Sequence, residues 1–282
     1  MKNLILFTFI FICGCGPALN VEKEIFDDST LEFQSARADT EDLLTIIVFD
    51  VGQGDAALVI APSGEAALID TGPPEACGKI SGLELDYLFI SHYDIDHSGS
   101  IGELGIEPHD TKAGDVYNLG DVSISVLLNN CEFADGQVFE CDPDDNNEHS
   151  AAMLIEYGSF RYLTAGDLPG GGGNPPYDTI DLETPLAPLV GDIDILHVGH
   201  HGSATSTNQN LLDITTPEIA IISVGVNEYF HPHRSVIDRL INSGIEVYQT
   251  GRGWLDDSYL DDINVIGGDI MIESDGYNYT IR

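Results

Sequence analysis

Ser91-His92-Tyr93-Asp94-Ile95-Asp96-His97-Ser98-Gly99 sets four side chains that can bind metal, His92, Asp94, Asp96 and His97, within six residues. The preceding run, 85–91, is apolar, so the segment reads as a loop at the end of a buried strand. A compact loop can aim all four inward. Two divalent ions held about 3.5–4 Å apart, as in binuclear hydrolases, need such a dense source of ligands. Taken alone, the same run would also suit a solvated polar loop. It does not stand alone. His149 precedes the β-rich run 151–157, Asp167 follows 160–164, and His200 and His201 follow 193–198. The chemistry these residue types support is metal-assisted hydrolysis.

Such side chains need strands to hold them. Runs 44–50, 56–61, 66–70 and 85–91 are β-rich, 122–127 and 151–157 alternate, and 160–164 pairs back through Gly158-Ser159. Further strands are expected over 193–198, 218–224 and 245–249, with a final hairpin, 270–273 and 277–281, around Ser274-Asp275-Gly276. Helical spacing is confined to 206–212, where Ser206 is a capping candidate, and 235–243. The glycine run 170–173, with Pro175-Pro176, reads as a flexible loop. Strands first, then strand–helix alternation, predict an α+β or α/β layered domain with helices outside a pair of sheets. Asp50, Asp70, His92, Asp167 and His200 all fall at strand ends, where a site on layered sheets would sit.

The charge is extreme. The chain has 48 Asp and Glu against 10 Lys and Arg, a net charge of −38. Residues 43–282 alone carry 40 acids and 7 bases, so the acidity belongs to the domain. This excludes a surface that holds nucleic acid through Lys and Arg, and no stable nucleic-acid complex is expected. It leaves open a deep site where metal ions hold a phosphate. At the N-terminus, Lys2 and the apolar run 4–13 fit a signal peptide and are too short to span a bilayer. Ile12-Cys13-Gly14-Cys15 resembles a bacterial lipobox, which implies a signal peptide over 1–14 and lipidation of Cys15. The protein would then be exported and membrane-bound by its lipid alone; a plain cleaved signal is the alternative. Residues 15–42 read as an acidic tether and 43–282 as the folded domain. Export allows disulfides. Cys131 and Cys141 could close a loop, leaving Cys77 odd, or all three could be free.

The 92–97 segment resembles the HxHxDH motif of metallo-β-lactamases, with Asp94 in place of the second His. Asp50-Val51-Gly52-Gln53-Gly54-Asp55, Leu68-Ile69-Asp70-Thr71-Gly72, Thr164-Ala165-Gly166-Asp167 and His200-His201-Gly202-Ser203 follow in an order similar to the metallo-β-lactamase-like domain of ComEC DNA-uptake proteins. The resemblance runs from about Thr45 to Gly253. It implies a four-layer αββα sandwich with two divalent ions, Zn or Mn, at one edge. His92, Asp94 and His149 would hold one ion, Asp96, His97 and a late His the other, and Asp167 would bridge. His149 stands near a position where the family usually has Asn. Adjacent residues on an extended backbone point opposite ways, which favours His200 over His201 as the late ligand. His231, in Tyr229-Phe230-His231-Pro232, resembles the family's YGHP segment with Phe230 where Gly is usual; it would touch substrate or be the last ligand. Asp50, Asp55 and Asp70 are candidates to orient ligands from behind, though Asp70 could also merely cap its strand. Ser203, Arg252 and His201 are candidates for substrate contact, Arg252 alternatively a surface residue. His109, His197 and His233 read as surface or packing histidines.

Asp94 makes the ligand set harder and more anionic, which favours Mn and keeps Zn open. The implied activity is a phosphodiesterase or nuclease-like enzyme in which a metal-bridging hydroxide attacks, with Asp96 and His231 as its catalytic residues and DNA or RNA as candidate substrates. The alternatives are hydrolysis of a lactone, thioester or other small carbonyl ester, and a non-catalytic metal-binding lipoprotein. The acidic run 142–148 reads as a solvated loop or a calcium loop without the EF-hand pattern.

Overall fold

The strands that open the domain are unbroken apolar runs because both of their faces are covered. β1 (Leu44–Val48), β2 (Ala57–Ile60) and β3 (Ala66–Ile69) are buried at every residue, and β4 (Tyr87–Phe89) nearly so. The computed structural model describes residues 43–172, 179–254 and 257–282. The signal peptide, the tether and Cys15 lie outside them. The chain continues through β5 (Val116–Leu119), β6 (Val122–Asn129), β7 (Glu132–Phe133), β8 (Ala152–Tyr157) and β9 (Phe160–Thr164). A small hairpin follows, β10 (Gly170–Gly172) with β11 (Thr179–Asp181), then β12 (Ile195–His197), β13 (Ile219–Ile222), β14 (Glu246–Gln249) and β15 (Asn264–Val265). The closing hairpin is β16 (Ile270–Ser274) and β17 (Tyr279–Ile281).

Two large sheets result. One has the order β17-β16-β1-β2-β3-β4 and the other β15-β14-β13-β12-β9-β8-β6-β5, with β7 added beside β6. Successive side chains of a strand face opposite ways, so β1 serves two cores. Ile46 and Val48 meet Phe89, Ile124, Ile155 and Tyr162 between the sheets. Ile47 turns outward to Leu58, Leu68 and Ile80. The outer layer there is thin: α1 (Cys77–Ile80) and a single turn at Ile101–Glu103. The second sheet is covered by α3 (Glu183–Val190), α4 (Gln209–Thr215) and α5 (Arg234–Asn242), whose Leu186, Leu211, Val236 and Leu240 pack on Leu196 and Ile222. The short α2 (Ile95–Ser98) lies in the motif loop. Helix, sheet, sheet, helix is the α+β, αββα order expected.

β3 pairs parallel with β4, and β9, β12, β13, β14 and β15 are parallel to one another in turn. Asp70, His92, Asp167 and the two histidines at 200–201 follow the C-terminal ends of such strands. Crevices at that edge of an open sheet are where α/β folds place ligands.

Three expectations change. Residues 170–172 are strand rather than flexible loop, paired to Thr179 and Asp181. The helix expected from Ser206 starts at Gln209, because Asn208 caps it: its Oδ1 accepts from Leu211 N at 2.8 Å. Ser206 Oγ instead donates to Gly199 O. α3 gave no clear signal, since Pro185 and Pro188 interrupt its pattern. Cys131 and Cys141 are joined, with Cα atoms 6.4 Å apart.

Candidate metal centre

The centre is built around one carboxylate. Asp167 follows β9 on a turn through Gly166, whose φ is +52°. A Cβ on Gly166 would lie 2.6 Å from Ser91 Oγ, so no larger residue lets the β9 turn approach the motif loop this closely. Asp167 is buried, and four imidazoles face it. His97 Nε2 lies 3.1 Å and His201 Nε2 3.7 Å from Oδ1; His200 Nε2 lies 3.4 Å and His92 Nε2 4.0 Å from Oδ2. The remaining acids divide the same way. Asp96 Oδ2 is 3.4 Å from His201 Nε2, and Asp94 Oδ2 is 3.6 Å from His92 Nε2. The two oxygens of Asp167 thus separate a group of Asp96, His97 and His201 from a group of His92, Asp94 and His200.

The residues fit metal ions on an observation independent of motif. His92 Nε2, His97 Nε2, His201 Nε2 and Asp167 Oδ1 are buried without a hydrogen-bond partner. Each such orphan costs about 1–3 kcal/mol, and ligation of a cation would satisfy all four. The far nitrogens are held. His97 Nδ1 meets Asp70 Oδ2 at 2.8 Å, His92 Nδ1 meets Ser91 Oγ at 3.1 Å, and His201 Nδ1 donates to Ser223 O at 2.9 Å. A proton on those nitrogens leaves a lone pair on Nε2, aimed inward. Among the described residues, the ligand-type groups close enough to share an ion include His92–His97–Asp167 and Asp96–His97–His201.

The charges are tightly coupled. Burial opposes ionisation of Asp167, yet His200, His97 and His201 hold it well below the usual carboxylate range. Burial likewise disfavours charged His97 and His201, but Asp167 with Asp70, and Asp167 with Asp55, hold them well above the usual imidazole range. Asp55 is held low by His197 and His201 against its burial. Asp94 is lowered chiefly by its hydrogen bond to His92, and Asp96 by His201 and His97 against burial. His200 is lowered by burial, which outweighs Asp167. His231 falls to about 3, through burial and the neighbouring His200 and His201.

Most of the expected residues converge, with two corrections. His149 is not in the cluster: its Nε2 lies 3.1 Å from Asp142 O, and it lines a separate polar pocket. The 3-10 turn Asn146–His149 rotates Asn147 toward the centre instead, with its Oδ1 buried and unpartnered. Asn146 donates to Asp94 Oδ1 at 2.7 Å. The signal for this pair was the Asn position of the family motif, two residues before the His. Second, His201 rather than His200 sits with Asp96 and His97, and both histidines reach Asp167. Their φ values of +50° and +51° make a left-handed turn, so the alternation assumed for extended backbone does not apply.

Asp70 touches His97, and Asp55 lies 3.5 Å from His201 Nδ1 and 3.6 Å from His197 Nε2. His197, read as a packing residue, is buried with Nδ1 3.0 Å from Tyr162 Oη. Asp50 stays outside, accepting from Gly52 N. Ser203 Oγ bonds Thr205 Oγ1, and exposed Arg252 does not line the cavity. His109 packs among Tyr87, Phe89 and Tyr117, and His233 caps α5. In the acidic loop, Asp142 and Asp145 accept backbone N–H groups of their own turn. His231 lines the cavity, its ring 5.1 Å from that of His200 and its Nδ1 buried and unpartnered.

The cavity is about 430 Å³, with Asp94, Asp96, Asp167, His200, His201 and His231 in its wall. Residues 49–112 match the family described as the Metallo-beta-lactamase superfamily. The chain belongs to the metallo-β-lactamase superfamily. Within it the chain is of ComEC type. It is 31% identical to "Recombination protein 2" of Haemophilus influenzae over 212 residues, 68% of this chain and 26% of that one. It is 27% identical to "ComE operon protein 3" of Bacillus subtilis over 259 residues, 72% of this chain and 31% of that one. "Competence protein ComA" of Neisseria gonorrhoeae is 29% identical over 230 residues, 74% and 31%. The chain therefore spans under a third of the length of these relatives. A solved structure, the metallo-beta-lactamase fold protein YhfI from Bacillus subtilis, is 13% identical with a TM-score of 0.46, covering 82% of this chain and 100% of that one. Superfamily membership and the His/Asp cluster together mark a metal-dependent hydrolase centre. Among the described residues no helix is long and apolar enough to cross a membrane.

Proposed function

We propose that this metallo-β-lactamase superfamily member is a phosphodiesterase of nuclease type, using two divalent ions. The observation that carries the reading is the convergence of four imidazoles and two further carboxylates on Asp167 in an open cavity. The names of the relatives, a recombination protein and a competence protein, support DNA or RNA as the phosphodiester. His92, Asp94 and His200 with Asp167 Oδ2 would hold one ion; Asp96, His97 and His201 with Oδ1 would hold the other. When bound, such ions supply Lewis acidity and acidify water near neutral pH. Three aspartates among seven ligands make the set hard enough for Mn as well as Zn.

The chain's own groups then have defined tasks. Asp70, Ser91 and the Ser223 carbonyl fix the imidazoles so that little reorganisation is needed. Asn146 steers Asp94. His231, neutral at any physiological pH, offers an imidazole nitrogen to a substrate oxygen across the cavity. Asn147 Oδ1 accepts from water or substrate on the opposite wall. A second reading, hydrolysis of a small carbonyl ester, is favoured by one fact: among the described residues no Lys or Arg lines the cavity. The proposal extends to an exported enzyme anchored through lipid on Cys15, which rests on residues 1–15 of the sequence.

The test is turnover of bis(p-nitrophenyl) phosphate by the purified chain with Mn²⁺ or Zn²⁺, beside an Asp96→Ala variant. Metal-dependent cleavage that the variant lacks supports the reading. A protein that holds two ions and cleaves a thioester or lactone but no phosphodiester overturns it.

A further inference from the structure

The segment Asp50–Asp55 puts one residue into the cavity that the metal centre does not use. Gln53 lines the wall that also carries Asp96, Asp167, His201 and His231. Its Oε1 is buried and, among the described residues, meets no donor. The loop that carries it is clamped on two sides. Asp55 N donates to Asp96 O at 3.1 Å, and Ser223 Oγ donates to Gly54 O at 2.8 Å. The packing is close enough to need glycine: a Cβ on Gly54 would lie 2.3 Å from Asp96 O, and one on Gly225 would lie 2.6 Å from Gln53 N. Gln53 is thus placed by the backbone of Asp96, a member of the centre, and by the loop that follows β13.

A buried amide oxygen without a partner calls for an explanation, and beside a reaction centre the explanation is a donor that arrives with the reactants. The wall itself is poor in free donors. Asp94, Asp96 and Asp167 only accept when ionised. The Asn227 amide already donates to Gly225 O and His231 O, and His201 Nδ1 already donates to Ser223 O. Among the described residues no Lys or Arg lines the cavity. The phosphoryl group of a diester carries no donor either. Water, the second reactant of any hydrolysis, carries O–H.

We infer that Gln53 is a catalytic residue whose Oε1 accepts a hydrogen bond from the attacking water and so turns an oxygen lone pair toward the scissile bond. The water oxygen bonds to phosphorus, one of its protons passes to solvent, and the bond to the leaving oxygen breaks with its electron pair. The O–H that remains points at Gln53. This rests on the hydrolytic reading of the centre and holds whichever ester is cleaved.

The test uses two substrates that carry no N–H or O–H group, bis(p-nitrophenyl) phosphate and p-nitrophenyl acetate, so an effect of the amide oxygen falls on the water. Both are given to the full chain in Mn²⁺. Gln53→Met keeps the side chain's length and removes the oxygen. It should lower kcat by about 100-fold, with KM and bound-metal stoichiometry unchanged. Gln53→Glu keeps an acceptor and should recover kcat by about 10-fold over Gln53→Met, its added charge raising KM for the anionic diester. The Tm of Gln53→Met should equal or exceed that of wild type, because an unpartnered buried acceptor has been removed. Wild-type kcat in Gln53→Met, a Gln53→Glu variant slower than Gln53→Met, or a Gln53→Met variant that loses metal or melts lower overturns the inference. The two readings fail separately. Cleavage of the acetate but not the diester sinks the phosphodiesterase and leaves Gln53 to be judged on the acetate. Diester cleavage indifferent to Gln53→Met sinks the role of Gln53 alone. A chain that holds two ions and cleaves neither sinks both.

Discussion

Asp70→Asn separates a residue that serves the metal centre from one that merely ends a strand. Asp70 is 2% exposed and accepts three hydrogen bonds: Ser91 N and Ser91 Oγ at 2.7 Å each, and His97 Nδ1 at 2.8 Å. Its φ is +60°, which Asn tolerates as readily as Asp, so the backbone is not perturbed. An amide keeps one acceptor and gains a donor. The oxygen must stay on Ser91 N–H, so the NH₂ turns to His97 Nδ1. That nitrogen must then accept, and the proton of His97 moves to Nε2, where it faces Asp167 Oδ1 at 3.1 Å. The lone pair needed by an ion is lost. Loss of the charge-assisted bonds costs about 1.5–3 kcal/mol. For a domain of this size that lowers Tm by about 3–12 °C, with the new contact to Asp167 pulling toward the lower figure. Metal affinity should fall about 10–100-fold. Thermal melts in EDTA give the first quantity and calorimetric titration with Mn²⁺ the second. A lower Tm with unchanged metal affinity would refute the argument and leave Asp70 a strand cap.

His149→Ala should leave the bound-metal stoichiometry at the wild-type value, whereas Asn147→Ala should lower turnover with the metals retained; elemental analysis and bis(p-nitrophenyl) phosphate kinetics decide both. Glu183, at the start of α3, is buried and accepts from Thr207 N and Asn208 N, yet burial pushes its carboxyl up to about 7. A raised carboxyl pKa makes the folded state the better proton binder, so this group's contribution is fully present below about pH 4.5 and is lost as pH rises to about 7, some 3 kcal/mol in all. The stability difference between wild type and Glu183→Gln, from urea melts across that window, should decline by about this amount; a flat difference would show that the two N–H donors fully offset burial.

The sequence made the αββα order and most of the centre readable, for physical reasons that also mark where reading stops. Fully buried strands such as β1 and β2 announce themselves as apolar runs, and the residues after them must be polar where the chain enters a crevice. Asp167, His92, His200 and Asp70 were visible on that ground alone. α3 was not, because its two prolines erase the helical pattern while the tertiary contacts of Leu186 and Val190 enforce the helix. His149 was misread because nothing local reports the rotation of a single 3-10 turn. That turn exchanges Asn147 for His149, and it follows the Cys131–Cys141 bridge and the Asp145 cap on Asn147 N. His197, read as a packing residue, was underrated for a similar reason: its partners Asp55 and Tyr162 lie far off in sequence.

The segment 200–202 shows most directly how function bends a local rule. His200, His201 and Gly202 have φ values of +50°, +51° and +81° in succession. Left-handed backbone costs a non-glycine residue about 1–2 kcal/mol, so the two histidines together store about 2–4 kcal/mol. Several bonds hold the turn in place: Ser203 N donates to His200 O, Ser206 Oγ to Gly199 O, His233 N to Gly202 O, and His201 Nδ1 to Ser223 O. Gly202 has to be glycine twice over, since its φ is positive and a Cβ there would lie 2.6 Å from Pro232 Cβ. An extended backbone would spend one imidazole on the centre and point the other away. The left-handed turn brings both to the same carboxylate, one on each oxygen of Asp167. Strain retained at a site where the surrounding structure over-determines it is the mark of a working geometry, and here the benefit is explicit: two adjacent residues supply one ligand to each half of a divided metal centre.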